Sequence, residues 1–206
     1  LLLEYPTEDL LALVPTLRAA VAELPPHLAE PLARTLQHVA GTPLPELAAQ
    51  YVETFDLRRR CSPYLTYYAY GDTRRRGVAL VEMKQAYRAV GLELADEELP
   101  DHLAVVLECA SGPDDGAREA GLRLLLAHRA GLELLRLALL DAGSPWAGAV
   151  VAVCATLPPL EGDDRDAVAR LAAEGPPGEE VGLDPSLALA ATAPYALDPS
   201  TTGADR

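Results

Sequence analysis

The stretch Thr73–Gly91, TRRRGVALVEMKQAYRAVG, decides the fold. Its apolar residues Ala79, Leu80, Met83, Ala86, Tyr87 and Val90 recur every three or four positions, the period of one buried helix face. Asp72 or Thr73 stands where an N-cap is needed, and Gly91 where a helix stops. The same period continues on both sides. Upstream, a helix is expected from Pro6–Thr7 to about Leu24, with Leu10, Leu13, Val14 and Leu17 on one face and Pro15 as a candidate kink. HLAEPLARTLQHVAG (27–41) gives a second, with Leu28, Leu32, Leu36 and Val39 in register. A third, capped by Thr42, follows, with Leu44, Leu47, Tyr51 and Phe55 on its face. Downstream, ELPDHLAVVLECASG (98–112) places Leu103, Val106, Leu107 and Ala110 on one side, a leucine-dense stretch fills 114–141, and an uncharged run spans 146–157.

Composition agrees with a helical reading. Half of the 206 residues are apolar, mostly Ala and Leu, and aromatics make up 5%. Ala and Leu are strong helix formers. The eighteen prolines imply short, interrupted helices. The expected architecture is all-α: a compact bundle of short helices over residues 1–160, then an acidic Pro/Gly-rich tail over 161–206 with one short helix within EGDDRDAVARLAAEG.

Charge and cysteines narrow the function classes. A formal net charge of −14 argues against nucleic acid as a partner for the whole surface. Residues 51–90 reverse that balance, with eight basic residues against four acidic ones, about +4, which leaves about −18 for the rest. The uncharged run is twelve residues between Pro145 and Pro158, too short for the ~20 that span a bilayer, so a buried helix and no membrane insertion are expected. Cys61, Cys109 and Cys154 are odd in number and widely spaced, which fits buried thiols in a reducing cytoplasm. No basic region precedes the apolar residues of LLLEYPTEDL, so no export signal is expected.

Candidates for catalysis are few. The four histidines have no helical spacing for a metal, and no phosphate-binding loop or nucleophile elbow occurs. Asp101–His102 could serve acid–base chemistry, but adjacent helical residues do not face each other. The simpler reading has Asp101 capping the helix and His102 exposed in its first turn. Cys61 follows three arginines that favour a thiolate, yet nothing nearby in sequence would use one, so it reads as an ordinary thiol. No catalytic residue, metal or cofactor is assigned.

The remaining feature is a clustering of Arg and Tyr. Arg58–Arg60 and Arg74–Arg76 bracket Tyr64, Tyr67, Tyr68 and Tyr70, half of the chain's tyrosines. Taken singly, such residues are solvated charges and core aromatics. Together they have the composition of a recognition surface, suited to an amphipathic peptide helix. Nucleic-acid binding through the same basic patch is the alternative.

YVETFDLRRRCSPYLTYYAYGDTRRRG (51–77), followed by ELPDHLAVVLE (98–108) and preceded by LLEYP (2–6), resembles the assembly chaperones of respiratory nitrate reductase, the NarJ type of the TorD/DmsD-like chaperones. The resemblance implies a cytoplasmic, all-helical chaperone without catalysis of its own. Its client would be the apo catalytic subunit of nitrate reductase, bound by its N-terminal segment and held for molybdenum cofactor insertion and iron–sulfur maturation before membrane docking. A related molybdoenzyme is the alternative client. Transient contact with molybdopterin guanine dinucleotide or its insertion machinery is a further implied partnership. On this reading Tyr51, Phe55, Tyr64, Tyr67 and Tyr68 line or support a client groove, and Arg58, Arg59, Arg60, Arg74, Arg75 and Arg76 meet the client's acidic groups. Asp72 and Gly77 shape the helix start, and Pro100, Asp101 and His102 form a hinge loop beside the groove.

Overall fold

A computed structural model gives the fold of residues 1–95 and 98–175. The part of the tail expectation that falls on 176–206 lies outside these residues. Among them are ten α-helices and no strand; Tyr64 and His102 form one isolated antiparallel bridge.

The centre is α9 (Ala147–Thr156), the uncharged run. It has no polar face, so it is stable only when surrounded, and Ala147, Ala149, Val150, Ala152 and Cys154 are buried on different sides of it. Its most extensive partner is α2 (Pro26–Gly41). Small residues let the two backbones meet. A Cβ on Gly148 would lie 2.0 Å from the Pro31 carbonyl oxygen, and the Thr35 hydroxyl donates to the Pro145 carbonyl at 2.8 Å. On the outside of α2 lies α1 (Glu8–Ala22), whose Thr7 side chain accepts from the Leu10 N–H as its N-cap. The helix runs unbroken past Pro15.

α3 (Leu44–Tyr51) is not capped by Thr42 as expected. The Thr42 hydroxyl donates back to the His38 carbonyl and closes α2, and Pro43 precedes the first residue of α3. The chain then widens into a π-turn over Val52–Asp56. Tyr51 and Phe55 stay on one side and pack edge-on to Trp146, at ring separations of 5.8 and 5.6 Å. A short 3₁₀ turn (Arg59–Cys61) leads into α4 (Leu65–Tyr70), which ends at Gly71 with φ +56°, a backbone that side-chain-bearing residues avoid.

α5 (Arg74–Ala89) buries Ala79, Met83 and Tyr87, the face read from its period. Its N-terminus differs from expectation: neither Asp72 nor Thr73 caps it. Asp72 turns to Arg76, and the Thr73 hydroxyl donates to the Tyr70 carbonyl. Gly77 lies within the helix in open space and does not set its start. Beyond a connecting strap, described at residues 90–95 and 98–102, come α6 (Leu103–Ala110), α7 (Asp115–Ala127), α8 (Arg129–Asp141) and, after α9, α10 (Asp163–Glu174), which lies on α8. The leucine-dense stretch is thus two helices, divided at His128.

Gly148→Ala tests the α2–α9 contact. The methyl group must push a backbone carbonyl aside, so a loss of about 3 kcal/mol is expected, read as a melting temperature lower by roughly 6–12 °C.

Candidate functional site

Three separated segments converge on one open cleft of about 390 Å³. Glu4 and Tyr5 come from the N-terminal segment, Tyr51, Asp56, Pro63 and Tyr64 from α3 to the start of α4, and Glu98, Leu99, His102, Ala104, Val105 and Glu108 from the strap and α6. All of these lie in the three stretches that carry the family resemblance.

Each wall has a physical reason to be where it is. The Tyr51 hydroxyl, whose titration burial pushes well above the ordinary phenol range, donates to the Leu3 carbonyl at 3.0 Å and pins the N-terminal segment. Tyr5 then stands edge-on to Tyr51, its ring 5.6 Å away, half exposed at the mouth. The π-turn carries Asp56 into the lining. The Tyr64–His102 bridge joins two walls. Leu65 N–H donates to the Asp101 carbonyl and Leu103 N–H to the Pro63 carbonyl, both at 2.9 Å. Above that bridge the Tyr64 and His102 rings stack edge to face at 5.3 Å.

Beneath the cleft is a buried ionic node. Asp101 has no exposed surface. Its Oδ2 accepts from the Thr66 hydroxyl and from Arg76 Nη2, the latter at 3.3 Å. Oδ1 has no partner among the described residues. Arg76 also reaches Asp72 at 3.3 Å and lies over the Tyr64 ring, 5.5 Å from its centroid. The sequence reading of Asp101 as the helix cap is therefore corrected: Asp101 is a buried anion, and His102 is the N-cap of α6, its Nδ1 accepting from the Ala104 N–H at 3.3 Å. His102 is also half-buried rather than exposed. Pro100 is held as well, its carbonyl accepting from the Tyr87 hydroxyl at 2.7 Å.

Of the residues expected at a client groove, Tyr51 and Tyr64 line this cleft. Phe55 and Tyr68 are buried, and the Tyr68 hydroxyl donates to the Arg60 and Ser62 carbonyls. Tyr67 is half-buried, its ring against Tyr68. Arg58 pairs with Glu53 and Arg60 with Asp141. Arg59, Arg74 and Arg75 are exposed with no carboxylate partner among the described residues. None of the arginines lines the cleft, whose rim carries Glu4, Asp56, Glu98 and Glu108 instead. These four were not singled out from sequence. The signal available was the spacing of Val105 and Glu108 on the face of α6 opposite its buried Leu103 and Val106.

Burial pushes the His102 imidazole below its usual 6.5, and the charges of Asp101, Glu4, Glu98 and Asp56 pull partly the other way. The neutral ring is the form that caps α6 through Nδ1. Burial also raises the Cys61 thiol, outweighing Arg58 and Arg60, so it is no activated nucleophile. Among the described residues no group of three or more His, Cys, Asp or Glu side chains is placed to hold a metal ion, and no helix is long and apolar enough to cross a membrane.

An all-helical bundle with an open, aromatic-lined cleft defines the structural class. The nitrate reductase delta subunit family matches residues 15–152, and the chain belongs to that family. It is 39% identical over 155 residues to the nitrate reductase-like protein NarX of Mycobacterium tuberculosis, which is 75% of this chain and 23% of that protein. It is 32% identical over 114 residues to the probable nitrate reductase molybdenum cofactor assembly chaperone NarJ of Bacillus subtilis, 55% of this chain and 62% of that one. It is 36% identical over 110 residues to the nitrate reductase molybdenum cofactor assembly chaperone NarJ of Escherichia coli, 52% and 47% of the two chains. The aligned part is less than two thirds of each relative. The resemblance to NarJ-type chaperones seen in the motifs agrees with these matches.

Two outcomes follow from the node. Arg76→Ala strands a buried carboxylate and should cost about 3 kcal/mol in urea unfolding, whereas Arg74→Ala and Arg75→Ala should each stay within about 0.5 kcal/mol. His102 and His128, both lowered by burial, bind fewer protons folded than unfolded. Their contribution is therefore complete above the ordinary pKa of 6.5 and is lost as pH falls through it. Stability should drop between pH 7.5 and 5.5, and His102→Asn, which keeps a capping acceptor, should flatten part of that slope.

Proposed function

We propose that this protein is an assembly chaperone for a respiratory nitrate reductase. It binds the apo catalytic subunit through that subunit's N-terminal segment in the Tyr64–His102 cleft. It holds the subunit in the cytoplasm for molybdenum cofactor insertion and iron–sulfur maturation, before membrane docking, with no catalysis of its own. Contact with molybdopterin guanine dinucleotide or its insertion machinery is transient.

The observation that carries this reading is the origin of the cleft. Every residue lining it comes from the three stretches, 2–6, 51–77 and 98–108, that resemble NarJ-type chaperones. Aromatic side chains with polar tips suit such a site, because they bury area at small cost in conformational freedom. Tyr51 and Tyr64 form the floor, Phe55 and Tyr68 brace it from the core, and Pro100–Asp101–His102 form the adjoining hinge loop. To move as a hinge, that loop must release the Tyr87 and Leu65 hydrogen bonds. Arg59, Arg74 and Arg75 are outer contacts for acidic groups further along the client. The nucleic-acid alternative loses support, since Arg58, Arg60 and Arg76 are committed to Glu53, Asp141 and Asp101.

Calorimetric titration with a peptide from the N-terminus of the same organism's nitrate reductase catalytic subunit tests the proposal against a scrambled control. Micromolar or tighter binding is expected, weakened about 30-fold by Tyr64→Ala. Equal heats for the client and scrambled peptides on folded protein would refute it.

A further inference from the structure

A second charged cluster lies on α8, apart from the cleft. Arg129, Glu133 and Arg136 follow one another at four and three residues, so they share one face of that helix. None of them lines the Tyr64–His102 cleft. Arg129 is 6% exposed and Glu133 8%. Charged side chains are almost never buried this far unless paired. Glu133 is paired: its two oxygens accept from Arg136, from Nη2 at 2.5 Å and from Nε at 3.0 Å. That pairing occupies the carboxylate one turn away from Arg129. The Nε and Nη1 atoms of Arg129 are cut off from solvent and have no hydrogen-bond partner among the described residues.

The neighbouring groups do not supply the missing charge. Cys154 of α9 faces the cluster. Burial raises its thiol above the ordinary range and outweighs the pull of Arg129, so the thiol is protonated and neutral near pH 7. His128, lowered by burial, is neutral there as well. No ion pair among the described residues engages Arg129 or joins α8 to α10. The cluster therefore holds two guanidinium groups against one carboxylate, one positive charge in excess. A buried charge is expensive unless it is paired, and an orphaned buried donor in a folded protein points to a bound water or ion. Water offers an acceptor but no charge. An anion offers both.

We propose that Arg129 is the centre of a buried anion site between α8 and α9, and that the site takes one monovalent planar oxyanion, the class of nitrate, nitrite and small carboxylates. A single negative charge balances the cluster. A flat oxyanion matches the planar donors of a guanidinium group, and a monovalent ion is cheaper to dehydrate than sulfate or phosphate. The Cys154 thiol adds a weak donor beside it. Helix α10 lies on α8 with no buried residue among those described, so it can shift by the width of a small ion without opening the core. The bound anion ties α8 to α9 and stabilises the C-terminal helices. The site stands apart from the client cleft and does not depend on the chaperone reading.

Thermal melting of the full chain at fixed ionic strength, with sodium fluoride as the balancing salt, tests the site. Nitrate, nitrite, formate and sulfate are titrated in turn against wild type, Arg129→Met and Glu133→Gln. At about twenty times its dissociation constant, a planar monovalent anion should raise the wild-type melting temperature by roughly 5 °C and saturate. Arg129→Met, which replaces the charge by an apolar chain, should fold and show no saturable rise. Glu133→Gln leaves Arg136 uncommitted and should reach half-saturation at about tenfold lower anion. Nitrogen-15 spectra of the arginine Nε–H groups give a second readout. One resonance, absent from Arg129→Met, should move with the same half-saturation; if that variant does not fold, Arg129→Lys assigns the resonance instead. Whether nitrate, nitrite or formate saturates lowest separates an inorganic ligand from a carboxylate. An equal rise in wild type and Arg129→Met would be a general salt effect and would overturn the site, as would an Arg129 resonance that no anion displaces. Saturation by sulfate below every monovalent anion would overturn the assigned class.

Discussion

A carboxylate cut off from water costs several kcal/mol unless it is paired, and Asp101 is such a group. Three elements meet to pair it. Thr66 comes from α4, Arg76 from α5, and Asp101 itself precedes α6, so satisfying one charge fixes the mutual position of three helix ends. The backbone repeats the instruction. Leu65 N–H donates to the Asp101 carbonyl and Leu103 N–H to that of Pro63, closing the small bridge from which the Tyr64 and His102 rings project. A buried ion pair is a poor source of net stability, but it is intolerant of misalignment. Here that intolerance positions the floor of the cleft.

The same node explains an awkward helix start. Arg74, Arg75 and Arg76 occupy the first turn of α5, where the helix dipole disfavours positive charge, and no acidic residue shares that turn. Only Arg76 finds compensation, from Asp72, Asp101 and the Tyr64 face. Arg74 and Arg75 keep their charge in solvent. Six arginines that look alike in sequence thus divide into one structural cation, two with carboxylate partners on the surface, and three without. Meanwhile the cleft beside them is rimmed by acid.

Helix α5 was legible because its apolar residues sit on a single face, and α9 because twelve uncharged residues between prolines have nowhere to go but the core. The division of α7 from α8 was not, since the break at His128 has neither glycine nor proline to mark it. Thr42 and Thr73 look like N-caps, but their hydroxyls donate backwards to His38 and Tyr70 carbonyls. Asp101 reads as a helix cap because its partner Arg76 is 25 residues away, beyond the reach of any local pattern. The tyrosines were visible as a group, but their fates were not. Tyr51 joins the core around Trp146 while showing an edge to the cleft, and Tyr64 faces the opening. The acidic rim was hidden because Glu4, Asp56, Glu98 and Glu108 come from segments that only the fold brings together.

The contact between α2 and α9 joins residues about 110 positions apart, as the Thr35–Pro145 hydrogen bond records. A ribosome adds ~5–20 residues per second, so α2 waits roughly ten seconds for the helix that covers it. During that interval Leu36, Val39 and the small-residue seam around Pro31 face solvent or α1 alone. The cleft, by contrast, draws only on residues up to 108 and can close while the C-terminal helices are still being made. The lining of the cleft is thus synthesised before the central helix that covers α2.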